Sequence, residues 1–184
     1  MAKRPPQPLD REKLLNVALR ALGGRAHSSG ELREKLRRRA QSAEDVDAVL
    51  AKLKEAGYLD DRRFAEAYAA ARLQDQGLGK MRVLRDLRQR RVAPKLAEQV
   101  TEQTYDKTNE TDLIEDFLRR KYRGKQLGAF FSEEKNLAAA FRRLRYAGFA
   151  AGTSIRVLKR YANQPEVLDS LESEEDPLSD ENRH

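Results

Sequence analysis

The sequence contains no cysteine, and only two of its 184 residues are histidine, His27 and His184. The first absence excludes a disulfide framework, a thiolate metal site and a cysteine nucleophile. A histidine metal site or a Ser-His-Asp triad would rest on His27 alone, next to a helix start where capping and surface roles are the ordinary ones. No run approaches the roughly 20 apolar residues that span a bilayer. The first residues, Met-Ala-Lys-Arg-Pro-Pro-Gln-Pro, are basic but have no apolar signal core behind them, so a cytoplasmic protein is expected. Glycine-rich phosphate loops are missing too: Gly23-Gly24 lacks a following Lys-Ser/Thr, and Gly77-Leu78-Gly79-Lys80 lacks a preceding strand. Asp60 and Asp61 are adjacent at a helix start, point in different directions, and suit capping better than acid–base work. The expectation is a protein that is not an enzyme, with no cofactor and no metal.

What the chain has in quantity is charge. Charged residues make up 36% of it, with 37 Lys plus Arg against 30 Asp plus Glu, a net +7. The mean hydropathy of −0.83 describes a wet surface over a thin core. From Gln164 onward there are eight acidic residues and one Arg, so that tail carries −7 and the preceding body +14. A body this basic points to a polyanion or an acidic protein surface as partner, although solubility accounts for part of it.

The apolar positions recur at helical spacing throughout, and nothing alternates as a strand. Asp10 suits an N-cap, with Leu9 and Leu14 as a hydrophobic staple. The first helix then carries Leu14, Leu15, Ala18, Leu19 and Leu22 on one face and stops at Gly23-Gly24. Ser28 or Ser29 caps a second helix with Leu32 and Leu36 inward. Ser42 caps a third with Val46, Val49, Leu50 and Leu53 inward. The stretch Gly57-Tyr58-Leu59-Asp60-Asp61 then ends one helix and starts the next. Gly57 permits the left-handed turn, Asp60 is the N-cap, and Leu59 and Phe64 form the staple. Tyr58, Phe64 and Tyr68 are expected in the core, which leaves few aromatics to stack on bases.

The three-helix pattern repeats. Leu36 to Val49, Leu87 to Val100 and Leu144 to Val157 are each 13 residues apart. The third copy opens with a longer connector holding Gly124, Gly128, Phe130 and Phe131. The organisation expected is a disordered basic segment over 1–8, three-helix repeats over 9–59, 60–107 and 108–163, and a disordered acidic tail over 164–184. That makes nine helices in three units, an all-α chain.

Arginine-rich helix surface is the one functional signal. Lys80, Arg82, Arg85 and Arg88 make a stripe on one helix. Arg90 and Arg91 end that helix, Arg119 and Arg120 lie in the third repeat, and Arg142 and Arg143 lie near them. A solvated face would account for about half of these cations. A track for phosphates or acidic protein groups is the sharper reading.

Several of these residues resemble those of one family. Ala18-Leu19, Arg25-Ala26-His27-Ser28, Glu31-Leu32 and Lys35-Leu36 resemble the opening of the RecX regulatory proteins. Leu53, Gly57-Tyr58-Leu59-Asp60-Asp61 and Phe64-Ala65 are similar to the family's central block. Gly79, Arg82, Leu87 and Arg90-Arg91-Val92 resemble its second-repeat signature, although this chain has Arg91 where the family's turn is of a Lys-Gly-Ile type. Lys121-Tyr122, Lys135, Leu144, Gly148-Phe149 and Ile155 match the third repeat in outline. The resemblance covers about residues 12–162. It implies three tandem three-helix repeats forming an elongated, curved body that lies in the groove of the RecA filament on single-stranded DNA. There it would suppress strand exchange, ATP hydrolysis and the coprotease activity behind the SOS response. A monomer is expected, with DNA met through the filament or directly. The acidic tail would either solubilise the chain or compete with nucleic acid for the basic body. The alternative is a free-standing helical DNA-binding protein acting through its basic face, and a third is an adaptor for an unrelated partner.

Overall fold

The computed structural model describes residues 8–162 and Leu168. Among these, ten helices follow one another: α1 (Arg11–Gly24), α2 (Ser29–Arg37), α3 (Ala43–Glu55), α4 (Asp61–Gln76), α5 (Lys80–Gln89), α6 (Pro94–Tyr105), α7 (Glu110–Lys121), α8 (Leu127–Phe131), α9 (Glu134–Tyr146) and α10 (Ala151–Lys159). The described residues hold no strand, only one isolated parallel pairing of Leu9 with Ala40. The chain divides into two compact units, Met1–Tyr68 with Asp86–Val100, and Ala69–Arg85 with Thr101–His184. The division runs through α4, α5 and α6, so the middle three-helix group contributes to both units.

In the first unit, short polar side chains set where helices begin. Asp10 accepts the Lys13 backbone N–H at 3.0 Å, and Ser42 accepts that of Asp45 at 3.1 Å. Ser28 and Glu31 form a full capping box at the start of α2. Asp60 accepts the Arg63 N–H at 3.0 Å, and Gly57 takes a φ of +73° that a side chain would disfavour. The core is aliphatic: Leu14, Ala18, Leu32, Leu36, Val46, Val49, Leu50, Leu53 and Leu59 are buried together. Leu59 and Phe64 are buried, but Tyr58 is 62% exposed, so it is not the core residue expected. The left-handed turn at Gly57 directs Leu59 inward, and its neighbour in the chain faces water. Leu19, expected inward, is also exposed, and α1 continues through Gly23 and Gly24 before the extended Arg25 ends it.

The second unit has a larger, partly aromatic core of Ile114, Leu118, Phe131, Leu137, Phe141, Leu144, Phe149, Ile155 and Leu158, among others. The long connector expected before α9 contains α8, giving ten helices rather than nine. Its five residues carry Phe130 and Phe131, whose rings pack 5.2 Å from that of Tyr122. Adjacent side chains on an extended loop point to opposite faces, and one helical turn instead brings the buried Phe131 and the half-buried Phe130 against the same ring. The basic segment over residues 1–7 lies outside the described residues. The acidic tail does too, except for Leu168, which is helical and fully buried in this unit's core. Apolar packing therefore continues past residue 163.

Candidate functional site

α5 buries Val83 and Leu87 and leaves its cations half-buried or exposed, in surroundings that differ along its length. Toward its C-terminal end, in the first unit, Arg88 pairs with Glu98 at 2.7 Å. Arg90 meets Glu31 at 3.4 Å and lies 5.1 Å from the Tyr68 ring centre and 5.8 Å from that of Phe64. The Arg90 carbonyl accepts a short bond from the Ser28 hydroxyl. Arg91 adopts a φ of +56° and pairs with Glu34 at 3.8 Å. A Cβ on Gly30 would come within 2.3 Å of the Arg91 carbonyl oxygen, so the α5–α6 turn lies directly on the start of α2. Asp61 adds a bond to that start, accepting the Ser29 N–H at 2.6 Å.

Glu31 is the centre of this arrangement. It accepts from Arg25 at 3.2 Å, faces Arg90, and has His27 Nδ1 at 3.5 Å. Burial pushes its carboxyl upward, but the Arg25 hydrogen bond, the charges of Arg90 and Arg25 and the Ser28 N–H outweigh it, and the pKa falls below the usual range. His27 is buried, and burial followed by the charge of Arg25 lowers its pKa. It is a neutral core histidine. Beside it, Leu19, Leu22, Tyr58, Phe64 and Tyr68 help line a cleft of about 770 Å³ that holds no catalytic constellation. No group of three or more potential metal ligands occurs among the described residues.

Toward its N-terminal end, in the second unit, α5 meets a turn in the same way. The Gly79 N–H donates to the Ala147 carbonyl at 2.8 Å, and the Met81 N–H donates to that of Gly148 at 3.1 Å. A Cβ on Gly79 would fall 2.3 Å from the Gly148 carbonyl oxygen, and one on Gly148, at φ +90°, would fall 2.2 Å from the Arg82 nitrogen. Lys80 forms a short ion pair with Glu102. The guanidinium groups of Arg82 and Arg85 lie 4.7 and 5.6 Å from the centre of the Tyr146 ring, which is 60% exposed. Arg142, one turn earlier on α9, is exposed and has no partner among the described residues. Arg143 lies 5.6 Å from the Tyr122 ring centre.

The ten arginines and lysines expected as contacts thus separate by role. Arg90 and Arg91 serve the α2 junction, and Arg120 caps the end of α4 by donating to the Gln76 carbonyl at 3.1 Å. Lys80, Arg88 and Arg119 sit in exposed pairs, the last with Glu115 and Asp116. Such pairs contribute about 0–1 kcal/mol and give way readily to another anion. Arg82 and Arg85 lie over the Tyr146 ring, and Arg142 stands one turn before it on α9. Tyr146 itself was not anticipated, although its place four residues after Arg142 and off the Leu137–Phe141–Leu144 stripe was a signal.

Two stretches match family domains: residues 15–53 match the first three-helix domain of RecX, and residues 60–100 its second. The chain is 33% identical over 108 residues to the regulatory protein RecX of Trichlorobacter lovleyi, covering 59% of this chain and 70% of that protein. The chain belongs to the RecX family. It is also 38% identical over 123 residues to the RecX of Deinococcus radiodurans, a match spanning 65% of this chain and 58% of that one. With the relative from Halorhodospira halophila the match spans 56% of the relative's length. A crystal structure of RecX from Lactobacillus salivarius superposes with a TM-score of 0.58 at 16% identity, over 83% of this chain and 96% of that one. Another RecX crystal structure gives 0.60 at 18% identity, over 81% and 71%. At these identities the structures establish the shared all-α RecX fold.

Proposed function

We propose that this chain is a non-enzymatic regulator of a RecA-type recombinase, binding the RecA–single-stranded-DNA filament and inhibiting its strand exchange, ATPase and coprotease activities. Membership of the RecX family, whose members are named regulatory proteins, carries this reading. The cations Lys80, Arg82, Arg85 and Arg88, with Arg142, support it, because several weak charged contacts on a repeating filament add by avidity. It acts in the cytoplasm, where that filament forms, and as a monomer. The test is the single-stranded-DNA-dependent ATPase of the matching recombinase, titrated with this protein. Inhibition is expected below one chain per recombinase protomer. With Lys80, Arg82, Arg85 and Arg88 all changed to Ala, it should weaken roughly tenfold or more. Absence of inhibition at an excess of the unaltered protein would overturn the reading.

A further inference from the structure

Four large apolar side chains are exposed among the described residues, and two of them, Met81 and Tyr146, belong to the α5–α9 junction in the second unit. Tyr146 differs from Tyr58, the other exposed tyrosine, in what surrounds it. Arg82 and Arg85, three residues apart on α5, both bring their guanidinium groups within 6 Å of its ring centre, at 4.7 and 5.6 Å. Arg142 stands one turn before it on α9. Other cations on α5 and α7 are held by carboxylates: Lys80 by Glu102 and Arg88 by Glu98 on α5, and Arg119 by Glu115 and Asp116 on α7. Arg85 and Arg142 have no acidic partner among the described residues, and the Arg85 Nε is buried without a hydrogen bond. Uncompensated positive charge and an exposed aromatic ring therefore coincide at one place.

We infer that Tyr146, with Arg82, Arg85 and Arg142, forms a stacking subsite for a single-stranded nucleic acid, one base lying on the ring and the flanking phosphates on the guanidinium groups. A base and a phosphate together use what this surface offers: a π face, and planar donors that match phosphate oxygens. An acidic protein surface would use the arginines and leave the exposed ring unmatched. The guanidinium groups beside the ring hold it in place, so little side-chain freedom remains to be lost when a base lands on its exposed surface. This deepens the proposed function, on which it rests, by assigning direct contact with the filament's single strand to these four residues.

The main arm of the test needs no recombinase, and a second arm measures binding of DNA-free recombinase. Binding of the full chain to a fluorescent oligothymidylate is compared with binding to an abasic oligomer of the same length and charge, at low salt. The unaltered protein should bind the base-bearing strand more tightly. Tyr146→Ala and Tyr146→Leu should each lose about tenfold on that strand and little on the abasic one, while Tyr146→Phe should retain the preference. Arg142→Ala should weaken both strands alike and lower the salt slope by about one. Equal affinity of the unaltered protein for the two strands, no binding to either, or an unchanged preference in both Tyr146→Ala and Tyr146→Leu would overturn the inference. So would an effect of Tyr146→Ala confined to binding of DNA-free recombinase, which would make the surface a protein contact. The ATPase titration of the unaltered protein tests the regulatory reading separately, so either idea can fail without the other.

Discussion

The same backbone device occurs twice, once in each compact unit, with opposite treatment of its arginines. In the first unit the start of α2, at Ser28-Ser29-Gly30, lies on the turn after α5. In the second the start of α5, at Gly79-Lys80-Met81, lies on the turn after α9. Counting 57 residues on from Leu87 to Leu144 also carries Arg91 onto Gly148, and both have positive φ. The first junction is closed by side chains: Arg90 turns in to Glu31, and the exposed Arg91 pairs with Glu34. The second is closed by backbone on backbone, and its arginines are left around an exposed ring. One geometry thus serves as a structural joint at one place and as a candidate ligand surface at the other. What separates them is the presence of a glutamate that can hold the arginines.

The largest effect in this comparison should come from filling the second joint. Gly79→Ala puts a methyl group into the Gly148 backbone, and Gly148→Ala puts one into Arg82 while also forcing a side chain into φ +90°. Neither neighbour is the movable end of a flexible side chain. Each substitution should cost about 2–4 kcal/mol in urea unfolding, Gly148→Ala the more because strain adds to overlap. Gly128→Ala, which meets nothing within 4 Å, is the control and should cost well under about 1 kcal/mol.

These joints show where sequence reading stops. The caps at Asp10, Ser28 and Ser42 were legible because donor and acceptor lie three residues apart. The buried leucines followed from periodicity. Gly79 against Gly148 is a contact between residues 69 positions apart, and nothing local distinguishes either glycine from a helix stop. The five residues of α8 are too few to show a period. The sequence groups Tyr58 with Phe64 and Tyr68 as core aromatics, yet after the left-handed Gly57 it is Leu59 that is buried and Tyr58 that faces water. Charge alone also ranked Arg90, Arg91 and Arg120 with Arg142, although the first three are held by long-range partners.

A smaller effect is expected from opening the first joint at its carboxylate. Glu31→Gln keeps the capping geometry but leaves Arg25 and Arg90 without their counter-charge. A loss of about 2 kcal/mol near neutral pH is expected, since the carboxylate is largely shielded from water. Because the folded-state pKa of Glu31 is below its ordinary 4.5, the stability it contributes is complete above that pH and is lost as pH falls through the folded value. The substitution should therefore flatten the acid limb of a stability–pH curve below about 4.5. An unchanged limb would mean that Glu31 is not the hub of this joint.

The smallest effect concerns Arg91, the one residue other than glycine with a positive φ among the described residues. Arg91 holds φ +56°, a conformation that costs a residue with a Cβ roughly 1 kcal/mol relative to glycine. Arg91→Gly would relieve that strain but would also enlarge the freedom of the unfolded chain and remove the 3.8 Å pair with Glu34, which is exposed and worth little. The Arg91 Cβ also lies against Gly30, where the packing leaves no room for a second methyl. Strain relief should win narrowly, stabilising the protein by about 0.5 kcal/mol in urea unfolding. Removing the Arg91 Cβ should also make Gly30→Ala less damaging than it is in the unaltered chain, although the Arg91 carbonyl still crowds the site. Non-additivity of the two substitutions, measured as a double-mutant cycle, would show that Arg91 and Gly30 are fitted to each other. Strict additivity would place the departure from glycine outside the joint's packing and leave the Glu34 pair as its only consequence.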